Sequence, residues 1–169
     1  MRLPDFIFVL YCLSLSSSLY SQAIRTTIKT PLSSTTISDT SLIAIIPFTQ
    51  SGNWPFEPNY KPASLNHKEL KEIDSLLNSC IEEYNAGLSE QLKPRYGVDR
   101  KKYKYRRQYV AVLNPSGEKV VWINCFCTSM GERWKKEIML VSDGGNCYFN
   151  LKVNLKTKKC YEMVVNGYA

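Results

Sequence analysis

The sequence predicts an α+β domain in which one amphipathic helix packs on a four- to five-stranded antiparallel meander. Apolar residues follow helical spacing in one segment, residues 66–87, and alternate with polar residues in the segments after residue 103. Short turns join these later segments, which favours antiparallel pairing between neighbours. The chain has 169 residues, enough for one domain with its own core.

The first 21 residues are predicted to be a signal peptide. Arg2 precedes a short apolar run at residues 6–13, and serines follow that run up to Ser21. The run is too short to span a bilayer comfortably. We therefore expect a secreted or periplasmic protein with no integral membrane span after cleavage. The alternative is that the segment is retained as an anchor.

Residues 22–63 are predicted to form a tether followed by an arm. The tether, residues 22–40, is rich in Ser and Thr and shows no period. The arm, residues 41–60, begins with an apolar run and continues as a proline-containing loop with aromatic anchors at Trp54, Phe56 and Tyr60. The α+β domain itself is expected to occupy residues 64–169.

The helix is predicted to start after Asn66, which is a favourable N-cap residue. Glu69 lies three positions later and completes a capping box, and Gly87 can end the helix in a left-handed conformation. The apolar stripe predicted to face the sheet comprises Leu70, Ile73, Leu77, Cys80, Ile81 and Tyr84.

Alternation and turn residues predict five strands, at residues 107–113, 119–127, 134–141, 147–154 and 160–165. The second of these strands has two distinct faces. Its inner face, towards the helix, carries Val121, Ile123, Cys125 and Cys127. Its outer face carries Trp122, Asn124 and Phe126.

This order of elements resembles the cystatin-like and PepSY-like group of small domains, in which a helix lies across an antiparallel meander. The closing hairpin, residues 145–167, carries most of the resemblance: it has two alternating strands, an Asn-x-x-Thr turn and a final Asn-Gly. The chain also looks like small secreted bacterial proteins of unknown function with a Leu-Asn-x-x-Glu-Leu helix start, a Trp-Ile-Asn-Cys-Phe-Cys strand and an Asp-Gly-Gly-Asn turn. The resemblance implies no catalytic residues and a binding or inhibitory role.

Positive charge is concentrated in residues 93–107, where eight basic residues face one acid. This surplus equals the net charge of the whole chain, +7. Interleaved tyrosines and basic residues suit an anionic or protein partner in the cell envelope, such as lipopolysaccharide, an anionic glycan or an acidic protein. Nucleic acid is not expected for a secreted protein. The proposed binding residues are Arg100, Lys101, Lys102, Lys104, Arg106 and Arg107. The alternative is a solvated edge strand whose lysines prevent further pairing.

Trp122 and Phe126 lie on the strand face opposite the predicted helix. If that face is open, they form an apolar patch that invites a partner. If the arm folds over it, they belong to a second small core. We prefer the second interpretation because the apolar run of the arm also needs a place to be buried.

Five cysteines remain after signal cleavage, so at least one is unpaired within the chain. Because Cys80 lies on the helix stripe, it could bridge to one of three inward-facing cysteines, or all four could be buried thiols: Cys80, Cys125, Cys127 and Cys147. Cys160 is predicted to face away from the helix and to be the free thiol. The spacings match neither a zinc site nor a Cys-x-x-Cys redox site, so no metal and no cofactor are expected.

These observations favour a secreted, non-catalytic binding or inhibitory module rather than an enzyme. One alternative is a purely structural envelope component. Another is a cysteine-dependent enzyme that pairs a reactive cysteine with His67, the one histidine of the chain.

Overall fold

The computed structural model describes residues 39–49 and 55–168. The predicted signal peptide and nearly all of the tether lie outside the described residues, as does Trp54 of the arm. The helices and strands of the described part are β1 (Ile43–Ile45), β2 (Lys61–Pro62), α1 (His67–Gly87), α2 (Lys93–Tyr96), β3 (Arg106–Leu113), β4 (Lys119–Phe126), β5 (Tyr148–Asn154) and β6 (Lys159–Val165).

The fold is α+β, with one main helix and a mostly antiparallel sheet. The strands follow the order β1-β3-β4-β5-β6, and the short β2 also pairs with β3. Strands β3 to β6 form an antiparallel meander, as the sequence predicts. Outside this meander the sheet gains a parallel pair, because β1 from the arm pairs with β3 in parallel.

Helix α1 begins and ends where the sequence predicts, but Gly87 is its last helical residue and does not adopt the left-handed conformation expected of it. The Asn66 side chain accepts a hydrogen bond from the backbone N–H of Glu69, and the Glu69 carboxylate accepts one from Asn66, both at 2.9 Å. These two bonds satisfy N–H groups that the first helical turn leaves open. The buried stripe comprises Ile73, Leu77, Cys80 and Ile81.

The stripe of α1 and the inner face of the sheet form the first core. Val121, Ile123 and Cys125 of β4 are fully buried in it, as predicted from their alternation. Strand β5 contributes Phe149 and Leu151 to the same core. Burying apolar side chains of this size stabilises the fold by about 2 kcal/mol each.

The predicted strand at 134–141 does not exist, and this segment lies over the outer face of the sheet instead. It starts with a single helical turn, Arg133–Lys135. The buried Gln108 side chain donates to the carbonyl groups of Trp134 (2.5 Å) and Glu137 (2.6 Å) and accepts from the N–H of Met139 (2.9 Å). The Gln108 side chain thus makes the hydrogen bonds that backbone groups of this segment would otherwise make to a neighbouring strand.

The prediction that Cys160 is the free thiol was also wrong, because Cys160 forms a disulfide with Cys80. An irregularity between Asn150 and Lys152 in the β5–β6 register places one extra residue in β6, and Glu162 there has a φ of 53°. A bulge of one residue reverses the alternation of the strand. Cys160 pairs with Val153 of the inner face and therefore points towards α1.

Candidate functional site

The basic segment forms a loop that is held against α1. We call residues 99–104 the basic loop. At its start, the Asn85 side chain donates to the carbonyl of Val98 (2.8 Å) and accepts from its N–H (2.9 Å). The Arg100 guanidinium binds the Asp74 carboxylate at 2.7 Å and also contacts Asn78. Side chains of α1 thus fix the beginning of the loop at two points.

Within the loop, Asp99 shapes the backbone. Its carboxylate accepts hydrogen bonds from the N–H groups of Lys101 (2.8 Å) and Lys102 (3.1 Å). These bonds to Lys102 and Lys101 lower the pKa of Asp99, so the carboxylate is charged near neutral pH. The end of the loop is fixed by Tyr105, whose buried hydroxyl donates to the carbonyl of Asn146 at 2.7 Å.

Three lysines of the basic loop remain available to a partner: Lys101, Lys102 and Lys104 are exposed. Within the described part of the chain, none of the three forms an ion pair with a carboxylate. The Lys102 ammonium lies 5.0 Å from the ring centroid of Tyr103. The loop therefore presents three cationic side chains next to an aromatic ring.

The other basic residues predicted to bind a partner have structural contacts. Arg107 is 2% exposed and binds the Asp74 carboxylate at 2.5 Å, so the prediction that it is a surface binding residue was wrong. Arg100 shares this carboxylate and is only partly exposed. Arg106 is half-buried and donates to the carbonyl of Thr128 at 3.1 Å. Alternation along the chain could not reveal that Asp74 on the helix holds two of these arginines.

The alternative of a solvated edge strand does not fit the structure. The alternating lysines precede β3, and β3 lies inside the sheet between β1 and β4. The lysines of the basic loop therefore do not protect a strand edge.

Trp122 and Phe126 do not form an open patch. They are 3% and 1% exposed, and the arm and the segment around Trp134 cover them. This second core contains Ala44, Ile46, Phe48 and Phe56 of the arm. The structure thus favours the covered-core interpretation, and neither residue belongs to an accessible surface.

The cysteines offer no accessible nucleophile among the described residues. Cys80 pairs with Cys160 and Cys127 pairs with Cys147. Cys80 is thus bridged, but the prediction that its partner is Cys125, Cys127 or Cys147 was wrong. The free Cys125 is fully buried, and this burial raises the pKa of its thiol to about 12. A thiol that stays protonated and inaccessible is a poor nucleophile.

A groove runs beside the basic loop and was not predicted from the sequence. It has a volume of about 530 Å³ and lies between α1 and residues 93–101. We call it the helix groove. Its lining includes Asn78, Ile81 and Glu82 of α1 and Val98, Arg100 and Lys101 on the other side. Two residues create the groove. The Asn85 side chain binds Val98, 13 residues further along the chain, and Gly97 allows the backbone to pass close to the Lys93 carbonyl.

Comparisons with known proteins identify no relative from which a family or a function could be inferred. The chain matches no protein-family model, and searches of curated proteins and of solved structures also find no match. In the described part of the chain, no helix is both long and apolar enough to cross a membrane. The described residues also contain no cluster of three or more His, Cys, Asp or Glu side chains that could hold a metal ion.

Proposed function

We propose that this protein is a secreted, non-catalytic binding module that recognises an anionic partner in the cell envelope through the basic loop. The observation that carries the proposal is the exposure of Lys101, Lys102 and Lys104 on a loop whose start is fixed to α1. Charges on a pre-ordered loop lose less conformational entropy on binding than charges on a free tail. They also attract an anionic partner over a distance of about one Debye length, roughly 8–10 Å.

The two disulfides support the proposed compartment. Disulfides persist in secreted and periplasmic proteins and are rare where thiols are kept reduced. Cys80–Cys160 joins α1 to β6, and Cys127–Cys147 joins the end of β4 to the start of β5. Both bridges agree with export by the predicted signal peptide at residues 1–21.

The cysteine-dependent enzyme is the less favoured alternative. Among the described residues its nucleophile would have to be Cys125, which is fully buried and whose pKa is raised. His67 is exposed at the first residue of α1. A nucleophile that neither solvent nor substrate reaches cannot start a covalent reaction.

The test replaces the three lysines of the basic loop by Gln and compares the variant with a matched control. The control changes Lys61, Lys68 and Lys71 to Gln; these residues are also exposed and carry the same total charge. Binding of heparin and of lipopolysaccharide is measured by titration at low and at moderate salt. The loop variant should bind at least about tenfold more weakly, and the control within about twofold of the native protein.

Equal losses in the loop variant and the control would show that only net charge matters and would contradict the proposal. Binding of neither probe by the native protein, together with no partner recovered by crosslinking in envelope extract, would favour the purely structural alternative. A loss of heparin or lipopolysaccharide binding that occurs in the loop variant but not in the control, and only at low salt, supports the proposal.

A further inference from the structure

We infer that this protein docks on the surface of an anionic lipid bilayer, which attracts the basic loop by charge and into which two exposed apolar side chains insert. These side chains are Leu92, directly before α2, and Tyr168, near the end of the chain. Together with Arg95 of α2, we call them the α2 patch. The inference rests on the proposed function and deepens it, because it names a lipid surface as the anionic partner.

Two neighbouring residues hold the α2 patch and the basic loop together. The Asn146 side chain donates to the carbonyl of Gly97, directly after α2, at 2.7 Å, and the Asn146 carbonyl accepts from the Tyr105 hydroxyl, directly after the basic loop. The N–H of Gly145 donates to the carbonyl of Gly167 at 2.9 Å. The basic loop, α2 and the residues before the C-terminus are therefore adjacent on the protein surface.

Tyr168 is held in place although it is 45% exposed. A Cβ atom at Gly145 would overlap with its ring, so the ring packs directly on the backbone there. The Arg95 guanidinium lies 4.8 Å from the centroid of the same ring, and the Tyr96 ring meets it edge-on at 6.3 Å. A ring that is fixed on one side and exposed on the other can enter a bilayer interface with little reorganisation.

The charge around the α2 patch is complementary to anionic headgroups. Four exposed cations have no carboxylate partner among the described residues: Arg95, Lys101, Lys102 and Lys104. Of the neighbouring acids, Asp99 accepts two N–H groups of its own loop and Glu90 pairs with Lys93. Even with Glu82 of α1, which lines the same groove as Lys101, the cations outnumber the acids. Each free cation near an anionic leaflet contributes about 1 kcal/mol to binding.

The apolar members of the patch favour a lipid surface over a soluble polyanion. Leu92 is 45% exposed and Tyr168 equally so, and a sulfated glycan offers neither of them an apolar contact. At a bilayer interface, the leucine and the ring can leave water while the lysines and Arg95 stay among the headgroups. The three lysines of the basic loop are not held in one direction by a carboxylate, which suits a fluid array of headgroups better than the fixed carboxylates of a protein.

The experiment uses the mature chain, residues 22–169, and vesicles of phosphatidylcholine with about 30% phosphatidylglycerol. Vesicles of phosphatidylcholine alone are the neutral control. The double variant Leu92→Ser with Tyr168→Ser removes two apolar side chains and no charge. The matched control, Leu140→Ser with Tyr161→Ser, makes the same changes at positions that are 69% and 37% exposed and line other grooves. Sedimentation measures vesicle binding, and heparin binding is titrated in parallel.

The native protein should bind the anionic vesicles and not the neutral ones, and moderate salt should weaken this binding. The double variant in the α2 patch should bind anionic vesicles about tenfold more weakly, and the matched control should stay within about twofold of the native protein. Heparin binding should be the same in all three proteins, because no charge changes. Circular dichroism checks that each variant is folded.

A second measurement reports insertion directly. Leu92→Trp and Leu140→Trp each place an indole at an exposed position, one inside the α2 patch and one outside it. Brominated acyl chains quench the fluorescence of indoles that enter the bilayer. On anionic vesicles, Leu92→Trp should show more quenching than the native protein, whereas Leu140→Trp should show no more.

Two results overturn the inference and leave the proposed function intact. One is heparin binding that depends on the three lysines of the basic loop, with no binding to anionic vesicles, which would mean a soluble polyanion. The other is vesicle binding that the double variant does not weaken and that leaves Leu92→Trp unquenched, which would mean attraction by charge without insertion. If vesicles and heparin both fail while the basic loop crosslinks to an acidic envelope protein, the partner is a protein and not a lipid.

Discussion

Asp74 determines what two of the basic side chains do. Its carboxylate binds Arg100 and Arg107, and the Arg107 side chain is only 3% exposed. Removing the carboxylate leaves a positive charge inside the protein with less compensation. Asp74→Ala should therefore lower the free energy of unfolding by about 3 kcal/mol. Urea unfolding at neutral pH, followed by tryptophan fluorescence, measures this loss.

The control for this prediction is Glu132→Ala. Glu132 pairs with Lys135, but the two side chains are 84% and 50% exposed. Exposed pairs contribute little, so the control should change stability by less than about 0.5 kcal/mol. Similar losses of unfolding free energy in both variants would show that the pairing of Asp74 with the arginines stabilises the fold no more than an exposed ion pair does.

Tyr109 gives a prediction that depends on pH. Its hydroxyl is buried without a hydrogen-bond partner among the described residues, and burial raises the pKa of this tyrosine above its ordinary 10.0. Near neutral pH, Tyr109→Phe should leave stability unchanged or raise it by up to about 1 kcal/mol, because the variant buries no unpaired hydroxyl. Tyr105→Phe should instead cost about 1 kcal/mol, since that hydroxyl binds the Asn146 carbonyl.

Above the ordinary pKa of tyrosine, the unfolded chain loses the Tyr109 proton while the folded protein keeps it. The stability of the native protein therefore falls as pH rises, by up to about 1.4 kcal/mol per pH unit for this group. Phe cannot ionise, so the advantage of Tyr109→Phe should grow with pH. Urea unfolding at neutral pH and above pH 10 tests this; a difference that stays constant would refute it.

Two buried amide side chains, mainly Gln108, hold the segment at 133–139. Gln108 holds it through three hydrogen bonds, and Asn124 adds a bond to the Met139 carbonyl at 2.7 Å. Gln108→Met keeps the volume but removes these bonds. We expect tryptic cleavage after the exposed Lys135 and Lys136 to become about tenfold faster, because local opening costs less free energy.

The control is Gln91→Met, an exposed residue far from this segment in the chain. Cleavage rates are measured by mass spectrometry at low trypsin concentration. An unchanged rate in Gln108→Met would mean that packing of Trp134 in the second core holds the segment by itself.

Elements with local signals could be predicted from the sequence. The helix follows from Asn66 and Glu69, which form a complete capping box, and the inner face of β4 follows from simple alternation. Elements that depend on long-range contacts could not. The bulge at Glu162 reverses the faces of β6 and brings Cys160 to the helix, and no residue pattern marks it.

The candidate site shows the same division. Exposure of Lys101, Lys102 and Lys104 agrees with a surface charge pattern that is visible in the sequence. The helix groove could not be predicted in this way, because it forms where the Asn85 side chain of α1 binds the backbone of Val98, 13 residues away. The sequence therefore predicts the charges of the surface but not the cavity next to them.

At the scale of the described part of the molecule, the sheet is covered on both sides by segments that two disulfides help to hold. The helix covers the inner face, and the arm with the 133–139 segment covers most of β3 and β4 on the outer face. Cys80–Cys160 closes a loop of 80 residues, whereas Cys127–Cys147 closes one of 20. A longer closed loop removes more entropy from the unfolded chain.

The last prediction compares the removal of the two bridges. Replacing Cys80 and Cys160 by Ala should cost about 4.5 kcal/mol, and replacing Cys127 and Cys147 about 3.3 kcal/mol, on loop-closure entropy. Both variants carry Cys125→Ala, so that no free thiol can exchange with the remaining bridge during unfolding. Urea unfolding of each variant against Cys125→Ala alone gives the two costs. A larger cost for Cys127–Cys147 would show that this bridge acts mainly on the folded state, by fixing the β4–β5 connection, rather than on the unfolded chain.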